Sequence, residues 1–287
     1  MTPTPLQNRR ALVTGSVQGI GLAMAQELAE VQAIANNPQP ATFENTIAAL
    51  ERTGRVTSRV GTVYGIWGGN MSTPEFQAVE REMAPRLAAY SDQITQNAAL
   101  FRRIEAVYNS PQKSSWTPEQ QRLAWRYYTN FVRAGARLDA AKKARLSEIN
   151  QRLAGLYTNF SQNVLTDENN QTVVIENEAD LAGLPQQLRD AAAAAATARG
   201  MQGKWVITNT RSSTDPFLTY SERRDLRERV WRMFVDRGEK GETDNNPIVA
   251  QILKLRAERA NLLGYETHAH WRLENAMAGT PERAMEL

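Results

Sequence analysis

The chain has 287 residues, 41% hydrophobic and 23% charged, a globular composition long enough for one large domain or two ordinary ones. Its 34 Lys+Arg against 31 Asp+Glu leave a net charge of +3 with the signs interspersed, which excludes the dense basic runs of a nucleic-acid-binding face. There is no cysteine, which excludes disulfides, thiolate zinc sites and cysteine nucleophiles, and no run of 18 apolar residues offers a membrane span.

Met1 to Arg10 is polar, and glycines interrupt the short apolar run that follows. A signal peptide's apolar core and cleavage site are missing, so a cytoplasmic location is the expectation. Ala11-Leu12-Val13 reads as a short strand, Thr14 to Gly21 as a glycine turn and Leu22 to Leu28 as a helix. This order resembles the cofactor-binding opening of short-chain dehydrogenases. The resemblance implies that Gly15, Gly19 and Gly21 bring backbone N–H groups to a dinucleotide pyrophosphate. What should follow departs from that family. Ile34-Ala35-Asn36-Asn37-Pro38-Gln39-Pro40 cannot be a central strand, and none of the eight tyrosines has a lysine four residues later. A lone first βα unit does not close a nucleotide site, so no residue is assigned to cofactor binding.

From Ala29 the texture is helical. Thr42 caps a helix through Glu51, and Arg55 to Trp67 continues it, with Trp67-Gly68-Gly69-Asn70 as its end and turn. Thr73-Pro74-Glu75 opens a third helix carrying Phe76, Val79, Met83 and Leu87. Leu100, Ile104, Val107 and Tyr108 mark a fourth. Thr117-Pro118-Glu119-Gln120 is a capping box that starts a long rod to Val164, with Leu146, Ile149, Leu153, Leu156, Phe160 and Val164 as its apolar stripe. A continuous helix over that stretch is roughly 70 Å long and needs other helices packed along it.

Thr172 to Ile175 and Lys204 to Thr208 read as strands around an alanine-rich helix, Glu178 to Arg199. Asp215-Pro216-Phe217 reads as a turn. Ser221 to Arg237 and Pro247 to Leu263 are helices joined by the polar loop Gly238 to Asn246. Gly264 stops the second of these, Thr267 to Ala278 is a short helix carrying Trp271, and Thr280-Pro281-Glu282 begins another.

Several of these blocks together resemble the zinc oligopeptidases, the family of peptidyl-dipeptidase, oligopeptidase A and thimet oligopeptidase. They are Pro40 to Glu51, Val79 to Leu87, Ala98 to Phe101, Phe160 to Leu165, Leu181 to Pro185, Arg223 to Asp236, Asn246 to Ile248 and Leu262 to Tyr265. Their order makes the likeness specific, it extends over residues 29 to 287, and it is closest to the peptidyl-dipeptidase branch. The resemblance implies the N-terminal, channel-wall part of an enzyme that acts on short peptides and holds zinc through His-Glu-x-x-His and a later Glu. This chain carries no such motif. Its two histidines, His268 and His270, stand two apart on a helix and point to different sides. Glu80 and Glu82 read as solvated helix residues. Trp116, Trp125, Tyr127, Tyr128 and Phe131 read as core packing ahead of a peptide groove.

The expected fold is mainly α, a long-helix bundle with a small mixed α/β insertion near residues 172–210. Residues 1–28 are a dehydrogenase-like segment and residues 29–287 the helical region. No catalytic, cofactor-binding or metal-ligating residue is expected. Zinc is expected only for full-length family members, and the chain is expected to be inactive alone. Short peptides and a missing catalytic half are the expected partners, with neither nucleic acid nor membrane among them. The chain reads as a truncated or fused product. The alternatives are an NAD(P)-binding protein acting through the Thr14–Gly21 turn, and a peptide- or partner-binding helical module.

Overall fold

The computed structural model describes residues 19–286, and helices dominate it, with one small two-stranded sheet. The chain divides into two compact units. One takes in the residues up to Gly155 and from Leu253 on, and the other is Leu156–Ile252.

In the first unit α1 (Ile20–Ala35) runs without a break at residue 28. Its Ile20 is buried with Met83, against which Met24, Val60 and Leu87 also pack. Thr42 caps the next element as its sequence predicts, in a reciprocal box with Asn45, but the turn it opens, Phe43–Ala48, is π-helical. The proline-flanked loop before it is held by Arg103. That guanidinium donates to the carbonyls of Asn37 at 2.8 Å and Gln39 at 2.9 Å, and to Asn45 Oδ1 at 2.8 Å.

Arg55–Asn70 (α2) is a separate helix behind Gly54. It continues through Gly68 and Gly69 to Asn70, where the sequence suggested a helix end and turn; the Met71 amide still donates to the Trp67 carbonyl, so the ladder runs past both glycines. Thr73 caps α3 (Pro74–Thr95), and Asn97 caps α4 (Ala98–Tyr108). Leu100, Phe101, Ile104 and Val107 of α4 are buried with Val31, Ile47, Leu50 and Phe131 in the unit's largest core. Each such side chain contributes about 1.5–3 kcal/mol by leaving water.

The predicted rod is two helices. The Thr117–Gln120 capping box opens α5 (Pro118–Arg133) as expected. Gly135 then adopts φ 89°, and the amide of Ala136 donates back to the Phe131 carbonyl at 2.9 Å, closing the helix in a Schellman turn. The chain restarts as α6 (Ala140–Asn170), with Asp139 accepting from the Lys142 amide at 2.8 Å. The rod expected from Thr117 to Val164 runs through Gly135; the left-handed conformation of that glycine ends the first helix instead. The stripe on α6 also changes character. Leu146, Ile149 and Leu153 are buried, Phe160 is 36% exposed, and the buried residues farther along are Gln162 and Asp167.

The second unit holds β1 (Thr172–Ile175) and β2 (Trp205–Thr208), antiparallel, with Thr172 opposite Thr208 and Ile175 opposite Trp205. The alanine-rich stretch is not one helix. A 3₁₀ turn, Glu178–Leu181, is followed by Gly183 at φ 83°, where a Cβ would lie 2.2 Å from the Tyr220 carbonyl oxygen, and then by α7 (Gln186–Thr197). Only glycine fits that approach. Asp215-Pro216-Phe217 lies inside α8 (Arg211–Tyr220), not in a turn. Pro216 has no N–H to give, but Thr214 and Phe217 are buried on the same short helix, and that packing outweighs one missing bond. After α8 come α9 (Arg224–Val235), a 3₁₀ turn Gly241–Thr243 and α10 (Asn246–Leu262), within which the boundary between the units falls. Val173, Ile175, Leu181, Ile207, Phe217, Leu226 and Val230 form this unit's core. The first unit closes with α11 (His268–Leu273) and α12 (Pro281–Met285). No helix among the described residues is long and apolar enough to cross a membrane.

Candidate functional site

The chain's two imidazoles sit on α11, and the hydroxyl of Thr267 caps that helix by accepting from the His270 amide at 3.3 Å. The imidazole Nδ1 of His270 lies 2.8 Å from the same hydroxyl, and its Nε2 lies 3.8 Å from Glu266 and 3.7 Å from Glu282. His268 occupies the opposite kind of surroundings. Its ring stands 5.5 Å from that of Trp271, and its Nδ1 is buried without a hydrogen-bond partner. Burial, then the positive charges of Arg256, Arg259 and Arg272, push its pKa down to about 4. The imidazole is therefore neutral at neutral pH.

Around Trp271 the guanidinium carbons of Arg259, Arg133 and Arg272 lie 4.5, 5.6 and 5.8 Å from the ring centroid. Arg133 is buried near the end of α5 and bonds to Glu274 and to the Trp271 carbonyl. The Trp271 indole returns a bond to the Arg133 carbonyl at 3.2 Å. The Tyr265 hydroxyl donates to Glu274 at 2.6 Å, and burial followed by that bond pushes its pKa up to about 12. Arg259 also donates to Asn150 Oδ1 at 3.3 Å, and Asn150 donates to buried Asp92 at 2.9 Å. Burial raises the Asp92 pKa against the pull of these partners.

Most of the aromatic cluster is core, as expected. Trp116 packs 5.4 Å from Phe43, Tyr128 stacks 4.1 Å from Tyr108, Phe131 stacks 6.5 Å from Phe101, and Tyr127 donates to Glu51 at 2.6 Å. Trp125 differs. With the Arg122 guanidinium 4.0 Å over its ring, it lines an open groove of about 520 Å³ together with Arg126, Asn130 and Asn275. Glu80 and Glu82 do not converge. Glu82 pairs with Arg86 at 2.8 Å, and Glu80 lies over Gly68. Of the glycine turn, Thr14 to Gln18 lie outside the described residues, Gly19 precedes α1 and Gly21 is within it.

Buried polar groups escaped the sequence reading, Asp92, Arg103 and Arg133 in the first unit among them. In the second unit Asp167 is buried, and its oxygens accept from the Gly238 amide at 2.7 Å and the Thr243 hydroxyl at 2.8 Å. Nearby, Asn245 donates to the Phe160 carbonyl at 3.1 Å and accepts from Asn163 at 2.9 Å. A signal for Asp167 existed. It is the next position of the α6 apolar stripe after Val164, and a carboxylate there must be buried with donors of its own.

Zinc needs three or more converging donors. Among the described residues no such group of His, Cys, Asp or Glu gathers, and the field around His268 is cationic, which repels a dication. These residues do not fit zinc.

A model of peptidase family M3 matches residues 217–287. Dipeptidyl carboxypeptidase of Escherichia coli (strain K12) is 34% identical over 263 residues, covering 91% of this chain and 39% of the relative. The organellar oligopeptidase A of Arabidopsis thaliana is 31% identical over 275 residues, 92% of this chain and 34% of the relative. Oligopeptidase A of Haemophilus influenzae is 31% identical over 250 residues, 85% and 37% respectively. The chain thus spans about two fifths of the length of the curated relatives it matches. The likeness of residues 9–28 to a dehydrogenase is not borne out: these relatives are peptidases, and the likeness to them takes in nine tenths of the chain.

Proposed function

The chain belongs to the zinc oligopeptidase family, and on that premise we propose that residues 29–287 form the channel-wall region of a peptidyl-dipeptidase-like metallopeptidase that acts on short peptides in the cytoplasm. In this reading the zinc and the general base are supplied by a catalytic half, and this chain contributes no ligand to the metal. Its own part is to bound the space that admits the peptide. The observation that carries the reading is the likeness to dipeptidyl carboxypeptidase over 263 residues, at 34% identity.

The 287-residue chain alone is expected to release nothing from a blocked short peptide in the presence of zinc. Chelator-sensitive release of dipeptides by the chain alone overturns the claim that it is inactive unaided. Co-expression with the remaining part of the Escherichia coli dipeptidyl carboxypeptidase tests the other half of the reading. Association and dipeptide release are expected, and failure of two folded parts to associate counts against the channel-wall role.

A further inference from the structure

Arg122, Arg126 and Asn130 follow one another at steps of four along α5 and so share one face of that helix. With Trp125, Leu123 and Asn275, which follows α11, they line the open groove of about 520 Å³. All of them belong to the first unit. Arg122 and Arg126 are exposed, and neither guanidinium forms an ion pair or a hydrogen bond among the described residues. The same holds for the hydrogen bonds of the Asn130 and Asn275 carboxamides. Two like charges one helical turn apart repel each other, and an anion between them relieves that cost.

Glu119 also borders the groove, three residues before Arg122, at a spacing that suits an ion pair. It is engaged elsewhere. Its own backbone N–H and then the Thr117 hydroxyl hold its carboxyl below the usual range at the start of α5. The groove is therefore left with two uncompensated cations. Arg122 lies 4.0 Å over the Trp125 ring, a contact that restrains the guanidinium while its N–H groups stay unused.

We propose that Arg122, Arg126, Asn130 and Asn275 form a binding site for the phosphate group of an organic phosphate monoester, whose apolar part rests on Trp125 and Leu123. Such a phosphate carries close to two negative charges above pH 7 and presents three acceptor oxygens in three dimensions. Two guanidiniums and two carboxamides from two elements of the fold match that arrangement. A carboxylate, with one charge and two coplanar oxygens, leaves part of this donor set idle. A bare phosphate ion leaves the indole and Leu123 in water, where a ring would cover them. The inference rests on side chains of this chain and stands apart from the peptidase reading.

The monoester has two possible sources, a free small molecule or a phosphorylated side chain. Equilibrium dialysis of the 287-residue chain against phenyl phosphate, at pH 7.5 and constant ionic strength, tests the site. Inorganic phosphate, benzoate and N-acetyl-O-phosphotyrosine amide serve as competitors. Saturable binding of one phenyl phosphate per chain is expected, displaced only at higher concentrations by inorganic phosphate or benzoate. Tighter binding of the phosphotyrosine amide than of phenyl phosphate assigns the site to a phosphorylated side chain; equal or weaker binding assigns it to a small molecule. Arg122→Gln and Arg126→Gln, both at exposed positions, are each expected to weaken binding by about tenfold, as loss of a charged donor does. Arg86→Gln, which removes an exposed cation from α3, is expected to leave it unchanged. No saturable binding, equal affinity for phenyl phosphate, inorganic phosphate and benzoate, an unchanged affinity in the Arg122→Gln or Arg126→Gln chain, or an equal loss in Arg86→Gln each overturns the proposal.

Discussion

The two units hold their chain in different ways. In the first, α4 brings Leu100, Phe101, Ile104 and Val107 into an apolar core finished by stacked rings at Phe131 and Tyr128. In the second, an apolar core is present too, but the long connection between α9 and α10 is fastened by buried polar groups, Asp167 and Asn245. Helix α6 shows the change along a single element. Its first half buries Leu146, Ile149 and Leu153, whereas its second half buries Gln162 and Asp167. An apolar stripe fixes which way a helix faces. A carboxylate aimed at a backbone N–H fixes where one particular loop goes.

Substitutions can break that contrast, and the largest effect belongs to the apolar side. Ile104→Ala is expected to cost about 4 kcal/mol by leaving a cavity in a fully buried site, with loss of amide protection confined to the first unit in hydrogen exchange. Asp167→Ala is expected to cost about 3 kcal/mol, because the buried Gly238 amide and the half-buried Thr243 hydroxyl lose their acceptor. Its signature is new proteolytic cleavage between residues 238 and 246; a chain as resistant there as the wild type would deny Asp167 its anchoring role. Gly135→Ala is expected to cost about 1–2 kcal/mol in urea denaturation. Its φ of 89° disfavours a side chain, and the added Cβ would lie 2.6 Å from Leu146 Cδ2.

The smallest expected effect is a pH dependence. The pKa of His268 is lower in the folded chain than in the unfolded one, so the unfolded chain binds more protons between about 6.5 and about 4. Stability is whole above that window and falls as the pH drops through it. The group is partly exposed, which makes the effect modest. Melting temperatures from pH 7 to 4 should fall less steeply in His268→Asn than in the wild type, and parallel curves would refute the assignment.

Much of this architecture is legible in the sequence because capping is local. Thr42, Thr73 and Thr117 each declare a helix start, and each hydroxyl accepts the amide three residues on. The β-branched run Thr172 to Ile175 likewise announces a strand. The errors arise where a residue's meaning depends on distant contacts. Pro216 reads as a turn until Phe217 is seen buried, and Thr117 to Val164 reads as one rod until the left-handed Gly135 separates α5 from α6. The cluster around Trp271 joins residues near 133 to residues near 271, a separation that periodicity does not register.

Arg103 carries a consequence for the order in which the chain matures. Its three bonds reach back 58 to 66 residues, to a stretch bearing Pro38 and Pro40. Chains are synthesised from the N-terminus, and early segments settle first when their partners are local. The stretch has local bonds, from Asn45 to the Pro40 carbonyl and from the Gln39 amide to Asn37, but the three that Arg103 adds cannot form until α4 has been made. A lysine there would bring one point charge to three acceptors that a planar fork meets together. The shape of the amino-terminal loop is thus tied to a helix that lies 58 to 66 residues further along the chain.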